Sequence, residues 1–176
     1  MNNLPNLSFI DLETTGLNRQ KHEILELAII RVRQPMLKII DEWEAKIQPQ
    51  KINTADPQAL KINNYNEKDW EKALSPKLVF EKFSQKARDT MLVAHNINFD
   101  VAFLEDNFRN WKVPISWDHH TLDTVSLAYF KLGPNTKLKL SELALKLNIK
   151  QEKAHSALSD ARTCFEVFKR LINSDW

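Results

Sequence analysis

A chain of 176 residues with 43% hydrophobic side chains can bury a sizeable core, and one domain over residues 1–176 is the economical expectation. Lysine and arginine exceed aspartate and glutamate by only 25 to 23; a net charge of +2 excludes wrapping long nucleic acid through phosphate neutralisation alone, so any such contact is local. The single cysteine, Cys164, excludes an intramolecular disulfide, and glycine at only Gly16 and Gly133 excludes a Walker or glycine-rich dinucleotide loop.

No apolar run approaches the roughly 18 residues a membrane span needs. "MNNLPNLSF" lacks the charged start and long apolar stretch of a signal peptide, so the expectation is a cytoplasmic protein without a membrane partner. Along the chain, Leu7 to Leu12 reads as a central strand running into the turn signal "TTG". "ILELAIIRV", 24–32, and "KIIDEWEAKI", 38–47, read as an antiparallel pair joined by "RQP". The polar stretch 48–66, with two prolines and paired asparagines, reads as a surface loop carrying a short helix. From Pro76 the pattern is helical, then "MLVAH", 91–95, is a buried strand. Phe99, Phe103, Leu104 and Phe108 mark one face of the next helix. "HTLDTVSLAYF", 120–130, is a strand entering a helix, and 139–149 and 155–172 are the last two helices. Three leading strands followed by alternating strands and helices describe an α/β fold, a mixed sheet with helices on its faces.

Carboxylates interrupt this apolar pattern at specific places. Residues two apart in a strand share a face, so Asp11 and Glu13 converge at the strand's C-terminal end, where open α/β sheets place ligands. Asp160 falls inside the apolar stripe Ala157, Ala161, Cys164, Phe168 and Leu171, and Asp100 heads the stripe of Phe103, Leu104 and Phe108. Each has an ordinary reading: a strand edge for the pair, a helix dipole for Asp160. Together they point acids towards the core, where an acid is costly unless paired with a cation or a metal. No lysine or arginine lies within two residues of Asp11 or Asp100. Oxygen ligands without cysteine suit Mg²⁺ or Mn²⁺. Four carboxylates and a bridging phosphodiester carry about −5, which two divalent ions bring near balance at about +4. His155, five residues before Asp160, reads either as a polar loop residue or, beside such a centre, as a base able to take a proton from water.

These residues resemble the DEDDh 3′-to-5′ exonucleases, most nearly the type of the bacterial DNA polymerase III epsilon subunit and ribonuclease T. "FIDLETTGL" matches the first motif, "AHNINFDVAFL", 94–104, the second and "HSALSDA", 155–161, the third; "TLDT", 121–124, and "KLKLSELALKLNI" also match family segments. The resemblance implies a ribonuclease H-like fold with a five-stranded mixed sheet. It implies that Asp11, Glu13, Asp100 and Asp160 hold two ions, Mg²⁺ or Mn²⁺, with His155 as general base. It further implies that Thr14, Thr15 and Gly16 approach a 3′ terminus through their backbone, that Leu17 presses on the last bases, and that Asn96 and Phe99 lie near the site. "TTG" also reads as a plain turn, and Leu17 and Phe99 as core residues.

The implied activity is hydrolysis of single-stranded nucleic acid, DNA favoured, from 3′ ends to 5′ mononucleotides. The alternatives are RNA trimming, oligoribonuclease-like clearance of short RNAs, and a catalytically silent nucleic-acid-binding module. A polymerase or repair partner fits the family, but the chain ends soon after its last helix, without the tail that ties the replicative epsilon subunit to its polymerase. The expectation is therefore a free-standing nuclease.

Overall fold

The computed structural model describes residues 4–151 and 156–173. Five strands form one sheet in the order β3-β2-β1-β4-β5: β1 (Asn6–Thr14), β2 (Ile24–Arg33), β3 (Lys38–Lys46), β4 (Thr90–Ala94) and β5 (Asp118–Asp123). β1 pairs antiparallel with β2 and parallel with β4; β2 pairs antiparallel with β3, and β4 parallel with β5. This is the mixed α/β sheet expected. One difference matters: β1 continues through Thr14, so Asp11 and Glu13 belong to the strand itself, held opposite Ala28 and Glu26 of β2. Pairing with β2 on one side extends the strand past the last apolar residue.

Alternation on β1 sorts its side chains between two cores. Ile10 and Leu12 face the larger one, with α3 (Pro76–Ala87) and α4 (Ile97–Trp111) supplying Val79, Phe80, Phe83, Phe103, Leu104 and Phe108. Leu7 and Phe9 face the other, against Ala161, Cys164, Phe165 and Phe168 of α7 (Ala157–Asn173). Phe9 is fully buried there, edge-on to Phe165 at 5.1 Å and to Phe168 at 5.3 Å. Period two therefore sends Asp11 and Glu13 to the α7 side, in line with Leu7 and Phe9.

The polar stretch 48–66 carries the short helix expected, preceded by a 3₁₀ turn and followed by a second short helix. A 3₁₀ turn (Ile52–Thr54) leads into α1 (Pro57–Ile62) and α2 (Glu67–Trp70). The sequence supports both: Asp56 caps α1 by accepting from the Gln58 amide, with Pro57 at the first helical position, and Asn66 caps α2 through the Asp69 amide. Asp123, the last residue of β5, caps α5 (Thr124–Leu132) in the same way. α6 (Leu140–Lys146) is shorter than its apolar pattern suggested and packs with α5 and α7 around Leu143, Val167 and Leu171. No helix among the described residues is long and apolar enough to cross a membrane.

Candidate active site

β1, α4 and α7 bring the expected acids to one end of the sheet. One carboxylate oxygen each from Asp11, Glu13 and Asp160 lie within 4.8 Å of one another. Asp160 reaches this place because its amide joins the first turn of α7 by donating to the Ser156 carbonyl at 3.0 Å, on the stripe that packs under β1. Asp100, in the first turn of α4, is 4% exposed and lies close enough to raise the carboxyl of Asp11.

Burial and mutual repulsion shape their titration. Asp11 is held well above the usual carboxylate range by burial first, then by Asp100, Glu13, Asp160 and Glu26. Glu13 is pushed up to about 8 by burial, with Asp160 and Glu26 adding to it. Asp100 is raised by burial, partly offset by hydrogen bonds from the backbone amides of Asp100 and Leu12, and raised again by Asp123 and Glu13. Among the described residues no lysine or arginine forms an ion pair with Asp11, Glu13 or Asp100. Acids so placed need a cation to ionise together, and every ligand atom offered is a hard oxygen. The donor set therefore fits Mg²⁺ or Mn²⁺ on its own chemistry.

Two acids that the sequence did not single out join the cluster. Glu26 faces Glu13 across the β1–β2 ladder and sits 3.9 Å from the Lys46 ammonium, which lies 3.9 Å over the Trp70 ring. It interrupts "ILELAII" as Asp11 interrupts β1, so alternation on β2 could have found it. Asp123 accepts from the amides of Asn96, Val125 and Ser126 and from the Ser126 hydroxyl, and these bonds hold its carboxyl below the usual range against the opposing effect of burial.

The expected substrate-contact residues flank the acids, and several are built into the fold. Thr14 is buried; its hydroxyl donates to the Gly16 carbonyl at 2.9 Å, and its own carbonyl accepts from Asn63 Nδ2 at 2.8 Å. Thr15 is buried, with its amide on the Glu23 carbonyl, its carbonyl on the Asp56 amide and its hydroxyl accepting from the Glu23 amide, each at 2.8 Å. Gly16 has φ +148 and lies against the His22 ring where any Cβ would stand, which is why a glycine is needed. Leu17 projects from this turn, 83% exposed. Asn96 is exposed, in the left-handed region at φ 71 between β4 and α4, and Phe99 is half-buried against Phe103 with ring centroids 4.9 Å apart. His155 lies outside the described residues. His95 is neutral in character, lowered by burial, with Nδ1 on the Thr124 hydroxyl at 2.9 Å and Nε2 donating to the Leu138 carbonyl at 2.8 Å.

Asn63 was not foreseen. It lies at the C-terminal end of α1 in a stretch without periodicity, and its bond to Thr14 spans 49 positions of chain. With Asn63, the residues Glu26, Lys46, Trp70 and Ser156 line a cleft of about 400 Å³ beside the acids. Cys164 is buried below the site, and burial pushes its thiol up, out of reach of nucleophilic chemistry. A second group of potential ligand side chains, Asp118, His119 and His120, lies at the start of β5, away from these acids.

Comparison with known proteins identifies the chain's relatives. The family model for RNase T, an exonuclease family, matches residues 8–168. A DNA polymerase III subunit epsilon of Treponema pallidum is 33% identical over 168 residues, covering 92% of this chain and 74% of that protein. A PolC-type DNA polymerase III of Caldanaerobacter subterraneus subsp. tengcongensis is 31% identical over 163 residues, 92% of this chain; the chain spans only 11% of that polymerase's length. Among solved structures, E. coli exonuclease I in complex with a dT13 oligonucleotide superposes with a TM-score of 0.83 at 18% identity, over 97% of this chain and 41% of that one. An exonuclease I from Methylocaldum szegediense gives 0.80 at 20% identity, over 96% and 40%. These last two show the shared fold, a ribonuclease H-like sheet flanked by helices.

Proposed function

The chain belongs to the RNase T exonuclease family, and from that membership and the site's geometry we propose that it hydrolyses single-stranded nucleic acid, DNA before RNA, stepwise from the 3′ end. The observation that carries this reading is the convergence of Asp11, Glu13 and Asp160 within 4.8 Å, beside buried Asp100, with no ion pair to the first two or to Asp100 among the described residues. DNA is placed first because the relatives at about 30% identity are a DNA polymerase III subunit epsilon and a PolC-type DNA polymerase III.

Asp11, Glu13, Asp100 and Asp160 would hold two divalent ions. Bound there, such ions supply a Lewis acid for the phosphate, a lowered pKa for the attacking water and charge neutralisation for the departing 3′ oxygen. The carboxylates fix positions; β1 and the first turns of α4 and α7 are rigid supports for them. His155, at family-motif spacing before Asp160, accepts a proton from the attacking water through an imidazole nitrogen. Water adds to phosphorus, the bond to the 3′ oxygen of the preceding nucleotide breaks, and the products are a 5′ mononucleotide and a strand shortened by one with a new 3′ hydroxyl. The turn Thr14–Leu17, held from below by Asn63 and Glu23, presents exposed Leu17 to the terminal bases, and Asn96 and Phe99 border the same space.

The test uses single-stranded DNA and RNA of matched sequence, labelled at the 5′ or the 3′ end, with Mg²⁺, Mn²⁺ or EDTA. The expected result is immediate release of labelled mononucleotide from the 3′ label, a descending ladder from the 5′ label, and neither in EDTA. Mononucleotide release from the 5′ label first, or no hydrolysis with any metal, overturns the reading. The second outcome would favour a silent binding module.

A further inference from the structure

A second concentration of charge lies at the opposite end of the sheet, in a cleft of about 730 Å³ lined by Arg31, Arg33 and Arg88 together with Gln34, Gln85 and Asp89. Arg31 and Arg33 are two apart on β2 and share a face, and Arg88 ends α3 beside them. Among the described residues none of the three guanidinium groups forms an ion pair. Asp41, opposite Arg31 in the β2–β3 register, is engaged by Lys86 at 2.7 Å. Arg31 Nη2 makes one long bond to the Arg88 carbonyl at 3.4 Å, and Arg31 Nε is buried without any hydrogen-bond partner.

The buried Arg31 Nε–H, left without an acceptor, costs stability unless a partner completes it, and two further guanidinium groups without ion pairs among the described residues stand beside it in a cleft whose one acid is Asp89. Guanidinium groups present forked, planar donors that match phosphate oxygens in pairs. We propose that this cleft binds a phosphate group, carried either by the nucleic-acid strand or by a free phosphate compound. It is separate from the acids. Asn6 on its rim and Glu13 stand at opposite ends of β1, roughly 23 Å apart at about 3.3 Å per residue, so one nucleotide cannot occupy both places.

Binding is measured on the full chain in EDTA, where hydrolysis is off, by following arginine Nε–H signals in NMR while adding inorganic phosphate, 5′-dTMP or a (dT)10 strand. A saturable shift of the Arg31 Nε–H signal is expected. Arg33→Gln/Arg88→Gln, which alters two exposed side chains, should weaken that binding by about tenfold or more while leaving Mg²⁺-dependent hydrolysis of a dinucleotide unchanged. Tighter binding of (dT)10 than of phosphate assigns the site to the strand; equal binding of phosphate and (dT)10 assigns it to a free phosphate compound. No saturable shift with any probe, or equal binding by the double variant, overturns the proposal. Because the binding is read without metal, its failure leaves the proposed hydrolysis standing.

Discussion

At the scale of single residues the site is defined by acids that the fold discourages from ionising. Glu13 shows the sign. Its carboxyl lies near 4.5 when free and is pushed to about 8 in the folded chain, so the metal-free fold holds that proton more tightly than the unfolded chain does. The stabilisation is complete below the free value and is lost as pH rises through the folded one; Asp11 and Asp100, raised in the same direction, add to it. Thermal scans in EDTA should therefore give a lower Tm at pH 8.5 than at pH 5.5, and saturating Mn²⁺ should narrow the gap. A Tm that rises over this interval would show that the acids are not crowded in the folded state. Asp11→Asn should raise the metal-free Tm at pH 8.5 by removing a repelling charge, yet lower kcat by about a hundredfold or more, because a ligand is lost. A variant that gained neither stability nor lost activity would remove Asp11 from the cluster. Gly16→Ala should destabilise, since φ +148 disfavours a side chain and the His22 ring occupies the place of its Cβ; unfolding in urea reads this directly.

At the scale of elements, the packing of β1 on α7 is what holds Asp11 and Glu13 against Asp160. Phe9→Ala removes a fully buried ring that meets both Phe165 and Phe168, and should cost about 3–5 kcal/mol in urea unfolding. A loss below about 1 kcal/mol would mean that this core rearranges easily. Asn63→Ala tests the other support: the Thr14 carbonyl loses its donor, so KM for an oligonucleotide should rise while stability falls by only about 1–3 kcal/mol. Strand and helix identities were legible because their apolar periods are strong, from "SFI" in β1 to the stripe of α7. The positions of Asp11 and Asp160 were legible for the same reason, as breaks in those periods. Asn63 was not. A side chain that reaches across 49 residues to one carbonyl leaves no periodic trace, and a six-residue helix in a polar stretch gives little pattern to read. The second end of the sheet was equally hidden, since Arg31 and Arg88 approach each other only once α3 is laid across β2.

At the scale of the whole molecule, the order β3-β2-β1-β4-β5 places β1 at the centre, so residues distant in sequence, on β1, α4 and α7, meet at its C-terminal end. The sequence pattern called for a mixed sheet but could not order its strands; the resemblance gave their number, and hydrogen-bond pairing gives the order. One end of the sheet is acidic, and at the other three arginines form no ion pair among the described residues, so a net charge of +2 conceals a polarised molecule. Salt should weaken phosphate binding at the arginine end far more than it weakens metal binding by the buried acids. The four acids together form the proposed divalent-ion site, and calorimetric titration of Mn²⁺ at pH 8 measures this on the native chain and on Asp11→Asn/Asp160→Asn. About two Mn²⁺ per native chain and loss of that binding in the double variant are expected; Mn²⁺ binding of equal stoichiometry and affinity in both would contradict a site built from these acids.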